Sequence, residues 1–146
     1  MEQMKKRVTI ELNTIIEDKG QKEYYKTKES GTYVKKGNIS VLAFEETIEN
    51  NERVHNLISI HPNKVTIKRT GAITMTQQFR VHQKTESQLF HSFGRMGLET
   101  TTNKLIFEEL TDQNKGTLVI FYDLKINGQA ERNHQLKLYF QEEEAN

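Results

Sequence analysis

The sequence predicts an all-β fold, one antiparallel barrel spanning residues 1–146 as a single domain. Three observations predict it. Apolar and polar residues alternate along most of the chain, the period of half-buried strands. Turn signals separate these stretches at short intervals. No segment carries a helical stripe: the best candidate, 44–57, has few apolar positions and too many asparagines. Many antiparallel strands in one small chain expose sheet edges unless the sheet closes. A barrel is therefore favoured over a β-sandwich.

The elements follow in order. Val8, Ile10, Leu12 and Ile16 mark a strand over 7–17, and "DKGQ" (18–21) is a turn. A second extended segment runs from about residue 23 to 36. It is broken near Ser30-Gly31, where a glycine suits a bulge or sharp bend. "KKGN" (35–38) turns into the strand "ISVLAFEE" (39–46), and "TIENNER" (47–53) is polar and turn-like. "VHNLISIH" (54–61) is a strand, and "HPNK" (61–64) places Pro62 at the first central position of a turn. "KVTIKRT" and "AITMTQQFRVH" flank Gly71. Further strands are expected at 87–92, 95–102, 103–110, 116–126 and 130–141, with a looser turn at 112–116. Asn127-Gly128 is a hairpin signal, because both residues tolerate positive φ. The total is about ten strands with short connections and no internal domain boundary.

Composition excludes several classes of function. Lys+Arg is 21 and Asp+Glu is 20, so the net charge is +1. The longest charge runs, Lys5-Lys6-Arg7 and Glu142-Glu143-Glu144, are short and terminal. Nucleic-acid binding needs a basic stripe to neutralise phosphates, and none is present. There is no cysteine, which excludes disulfides, thiolate catalysis and cysteine-ligated zinc. No stretch approaches the ~20 apolar residues of a membrane helix, and Glu11 interrupts the N-terminal apolar pattern. The expectation is a cytoplasmic protein without membrane or nucleic-acid partners.

Two segments carry a family resemblance. "RTGAITMTQQF" (69–79) contains Arg69, Gly71, Ala72, Met75, Gln77 and Phe79; "SFGRMGLETTT" (92–102) contains Ser92, Phe93, Gly94, Leu98 and Thr100. Together they resemble the YwiB-like family, a domain of unknown function from Gram-positive bacteria. The order of turns and strands fits over nearly the whole chain. The resemblance implies a calycin-like (lipocalin-like) β-barrel and no known activity.

The residues themselves point to a site. Read with period two, the face holding Ile67, Ile73, Met75 and Phe79 also holds Arg69 and Gln77. The same parity on other strands adds Thr100, Thr102, Tyr122 and His134, with Thr14 and Asn56 beside them. A desolvated arginine without partners would cost several kcal/mol, roughly, so it must be paired, wetted or bound to an anion. No carboxylate is expected on that face; the pairs Glu45-Glu46 and Glu108-Glu109 read as solubilising surface. The candidate ligand-binding set is therefore Arg69, Gln77, Met75, Phe79, Thr100, Thr102 and Tyr122. Arg69 and Gln77 would be brought together by a bend near Gly71, with Thr100, Thr102 and Tyr122 supplying hydroxyls.

Catalysis is not expected. The five histidines form neither H-x-H nor H-E-x-x-H, Ser92 lacks a G-x-S-x-G context, and no phosphate-loop glycine pattern occurs. No cofactor and no metal are expected. The leading expectation is a non-catalytic barrel that binds a small anionic or amphipathic molecule. The alternative is a closed, packed barrel acting as a protein-interaction module or homodimer.

Overall fold

The computed structural model describes residues 3–110 and 113–143. Ten strands account for most of them: β1 (Gln3–Asp18), β2 (Gln21–Lys36), β3 (Ile39–Thr47), β4 (Arg53–Ile60), β5 (Val65–Gly71), β6 (Thr74–Phe79), β7 (Lys84–His91), β8 (Gly94–Glu108), β9 (Lys115–Ile126) and β10 (Arg132–Glu142). Each pairs antiparallel with its neighbour in sequence, and β1 also pairs with β10. The sheet thus closes into the expected all-β barrel. Among the described residues the only helical turn is Glu49–Asn51, within the polar stretch read as a loop. Asp112 of the expected 112–116 turn, and Glu144 of the acidic run, lie outside the described residues.

Turn chemistry matches sequence. Asn127 and Gly128 both adopt positive φ, 51° and 72°, and form a tight turn closed by the Gln129 N–H donating to the Ile126 carbonyl at 3.0 Å, at the start of the connection between β9 and β10. Gly71 lies at φ 113°, and a Cβ there would sit 2.5 Å from the Arg53 carbonyl oxygen. Only glycine allows this close crossing of β4 and β5.

One boundary differs from the sequence reading. The two strands expected at 95–102 and 103–110 are a single strand, β8, with a register shift between Thr102 and Lys104. An extra residue at Asn103 reverses the pleat without ending the ladder. Leu98, Thr100 and Thr102 face inward before the bulge, and Leu105 and Phe107 pack on the core after it. Two parities in succession read as two strands, although the backbone continues.

The barrel interior has two unlike halves. Towards the β2–β3 and β4–β5 turns it is filled by Val8, Tyr33, Leu42, Ile60, Val65, Phe79, Leu118 and Phe140. The Tyr33 and Phe140 rings stack at 5.1 Å, and Phe107 adds a third ring 6.3 Å from Phe140. Tyr33 and Ser40 satisfy each other's buried hydroxyls at 3.1 Å. Of the large apolar residues on the predicted inward parity, Ile10, Ile67, Met75, Leu98, Ile120, Leu136 and Leu138 are buried as well, while Leu12 is only partly covered. Leu12 lies in the other half, where β2 and β3 part company. β2 pairs with β3 only from Gly31 to Lys36. Beyond Gly31, towards Gln21, β2 follows β1 alone.

Candidate functional site

The half of the interior beyond Gly31 holds a cavity of about 400 Å³. Eight strands line it. Apolar walls come from Leu12, Phe44, Ile58, Ile67, Met75 and Leu136, and polar atoms from Thr14, Thr27, Glu46, Asn56, Arg69 and Gln77. Tyr25, which is more than half exposed, stands at the opening. Grooves on the outer wall reach about 600 Å³, the largest running over Thr9, Lys28, Thr117 and Tyr139. The interior cavity alone joins the polar residues that the parity argument singled out.

Register explains how they meet. Asn56 lies opposite Arg69 on β4 and β5, and Arg69 opposite Met75 on β5 and β6. Gln77 pairs with Ile67, so Arg69 and Gln77 are diagonal neighbours on one face. Their partners are nevertheless different. The Arg69 guanidinium donates from Nε to Asn56 Oδ1 at 3.1 Å and from Nη2 to Glu46 Oε1. Asn56 Nδ2 donates to the same Glu46 oxygen at 3.0 Å, which closes a three-residue ring. The Arg69 and Glu46 side chains are 23% and 12% exposed, so the pair sits at the edge of the cavity, mostly out of water.

This corrects the expectation that no carboxylate shares the face. Glu46 follows Leu42 and Phe44 on the inward parity of β3, whereas Glu45 turns outward to Arg53 at 2.7 Å. The sequence signal was present but ambiguous. In "ISVLAFEET" both parities are apolar, Ile39-Val41-Ala43 on one and Leu42-Phe44 on the other.

Gln77 is held deeper, donating from Nε2 to Thr100 Oγ1 at 2.8 Å. Thr102 does not join it: its hydroxyl is buried with no partner among the described residues. Thr102 lies opposite Tyr122, just before the bulge, and is not among the cavity-lining residues. Tyr122 lines the cavity, and its ring lies edge-on to Phe79 at 4.9 Å and stacked on His134 at 5.0 Å. Phe79 is fully buried beneath it, as floor rather than wall. Burial raises the Tyr122 pKa above the usual tyrosine value, with Arg69 opposing. Burial likewise pushes His134 down to about 4, with Arg132 adding to the shift and Asp123 opposing it. The cavity wall therefore holds one cation, one anion and a neutral imidazole at neutral pH.

Of the expected set, Arg69, Met75, Gln77 and Tyr122 line the cavity, Thr100 braces Gln77 from behind, and Phe79 and Thr102 lie outside it. Glu46, Leu136 and Ile58 were not in that set.

Comparisons with known proteins agree with this architecture. A family model described as "Domain of unknown function (DUF1934)" matches residues 10–138. The chain is 28% identical over 134 residues to the Uncharacterized beta-barrel protein YwiB of Bacillus subtilis (strain 168), spanning 92% of each protein. It also resembles the crystal structure of ywiB protein from Bacillus subtilis, with a TM-score of 0.85 and 25% identity over 96% of this chain and 94% of that one. With a closed ten-stranded barrel, the two motifs at 69–79 and 92–102, and these matches over nearly its full length, the chain belongs to the DUF1934 family of YwiB-like β-barrels, whose function is unknown.

Proposed function

We propose that the barrel binds one small amphipathic molecule in its hollow half and performs no chemistry on it. The observation that carries this reading is the cavity itself. Its volume of about 400 Å³ lies within the usual ~300–1,000 Å³ range of small-molecule sites. A few convergent polar groups on apolar walls are also the common composition of such sites. A packed barrel serving only as an interaction module would have no reason to keep this volume open.

The ring of Glu46, Asn56 and Arg69 narrows the ligand class. An unpaired guanidinium would favour an anion. Here Glu46 already neutralises it, and His134 is uncharged near neutral pH. A second carboxylate would compete with Glu46 and meet its repulsion. An uncharged head group with both donors and acceptors fits better, accepting from Arg69 and Asn56 and donating to Glu46. The apolar part would lie against Ile67, Met75 and Leu136.

A fluorescence titration with two probes of similar size tests this. N-phenyl-1-naphthylamine is neutral; 1-anilinonaphthalene-8-sulfonate is its anionic counterpart. The neutral probe is expected to bind saturably with one-to-one stoichiometry and more tightly than the sulfonate. Met75→Trp, which pushes a larger ring into the cavity, should weaken binding while circular dichroism remains that of a β protein. Preference for the sulfonate would overturn the neutral-ligand assignment. Binding indifferent to Met75→Trp would overturn the interior site.

A further inference from the structure

The same divergence that opens the cavity leaves a strand edge bare. From Gln21 to Ser30, β2 pairs with β1 on one side and, among the described residues, with no strand on the other. Alternate N–H and C=O groups along this stretch therefore face outward, which is a template for another strand. A shorter gap lies between β6 and β7, which pair only at Thr74–Phe90 and Met75–Leu89.

We propose that the Gln21–Ser30 edge docks an extended, acidic segment of a partner protein, which adds a strand antiparallel to β2. The occupant is argued from charge. Inward parity on this stretch holds Tyr25 and Thr27, which line the cavity, while Lys22, Tyr24, Lys26 and Lys28 face outward and are exposed. Three lysines thus stand in a row on the outer face of the open edge. β1 balances part of this charge with two carboxylates for three lysines: Glu11 lies opposite Lys28 and 3.2 Å from Lys26 Nζ, and Glu17 lies opposite Lys22. Among the described residues, no strand on the free side balances the rest. Acidic residues at alternate positions of an added strand would stand directly across from the lysines, where opposite charges stabilise a cross-strand pair.

The same lysines argue against a second copy of this chain. A two-fold pairing of β2 with itself, centred on any residue from Tyr24 to Lys28, sets lysine against lysine: Lys22 on Lys26, Lys22 on Lys28, Lys26 on itself, Lys26 on Lys28, or Lys28 on itself. Like charges directly opposite are destabilising. Lysines at an edge are a known guard against self-pairing; here they also select the sign of a permitted partner. The added strand uses main-chain hydrogen bonds for affinity and alternate side chains for specificity.

The probe is a synthetic peptide alternating glutamate with valine, titrated into isotope-labelled protein and followed by NMR and amide exchange. Saturable shifts and new amide protection are expected along residues 21–30. Reversing all three charges (Lys22→Glu, Lys26→Glu, Lys28→Glu) should weaken binding about tenfold, a modest sum of cross-strand pairs. A lysine–valine peptide should regain the affinity on that variant. The Met75→Trp variant, altered only in the cavity, should bind the peptide as the wild type does. Failure of the small-molecule reading therefore leaves this test intact. Absent binding, shifts confined to other strands, or concentration-dependent dimers that protect β2 without peptide would each overturn the proposal.

Discussion

Arg69 is satisfied by acceptors that two neighbouring strands supply. Its partners are Glu46 and Asn56, and removing the guanidinium leaves Glu46 as a mostly buried charge held by Asn56 alone. Arg69→Met is expected to cost about 2 kcal/mol in urea unfolding, below the ~3–5 kcal/mol of a fully enclosed pair because this one touches solvent. Adding Glu46→Leu should restore most of that loss, since replacing both partners removes the stranded charge. A neutral single variant would place Arg69 in bulk solvent and remove the ring from the account. His134 offers a second check at this scale. Its folded pKa, about 4, lies below the ordinary ~6.5 that it takes when unfolded. The unfolded chain therefore gains the proton first, and stability falls as pH drops from about 6.5 towards 4. Between roughly pH 6.5 and 5 the expected loss is about 1–2 kcal/mol. His134→Gln should flatten that slope relative to the wild type, as thermal unfolding across the pH series would record. Parallel slopes would mean that the imidazole is not desolvated. Arg69, Gln77 and His134 were legible as interior residues because the parity of β5, β6 and β10 is clean. Glu46 was not, because β3 is apolar on both faces and alternation there has two solutions.

The strand β2 sets the geometry of both proposed sites through one glycine. At Gly31 a Cβ would meet Ile10 Cδ1 and the Phe44 Cβ, each at 2.9 Å, and would press on the Ala43 carbonyl oxygen. The missing side chain lets β2 come in against β3 at this point, before the two strands separate. Gly31→Ala should cost about 1–3 kcal/mol by overpacking. It should also raise amide exchange at Tyr33 and Leu42, where the β2–β3 ladder would be pushed apart. An alanine tolerated without loss of stability would show that the approach is looser than this geometry requires. The sequence hinted at a bend at Ser30-Gly31, but it carried no sign that β3 would end its pairing there. Pairing length depends on where each turn lets the next strand begin. Likewise the bulge after Thr102 was unreadable: nothing in "TTTNKL" separates one strand with an extra residue from two strands with a turn.

At the scale of the whole molecule, closure of the sheet was legible and the hollow was not. Alternation in about ten stretches, with turn residues between them, favoured a closed antiparallel sheet over a β-sandwich, and the barrel is what forms. Whether its interior fills is decided by volumes across facing strands. One half receives Tyr33, Phe79, Phe107 and Phe140; the other receives Thr14, Thr27, Asn56 and Gln77, whose smaller or polar side chains leave about 400 Å³ between them. A single sequence gives each side chain's parity but not which opposing side chain it meets. The central claim is that this space holds a small molecule. Native mass spectrometry of the protein purified from its own host tests it most directly, with Met75→Trp prepared in parallel. One uncharged small-molecule adduct is expected on the wild type, diminished or lost on Met75→Trp while both remain folded. An apo mass for the wild type, or the same adduct on both proteins, would contradict it.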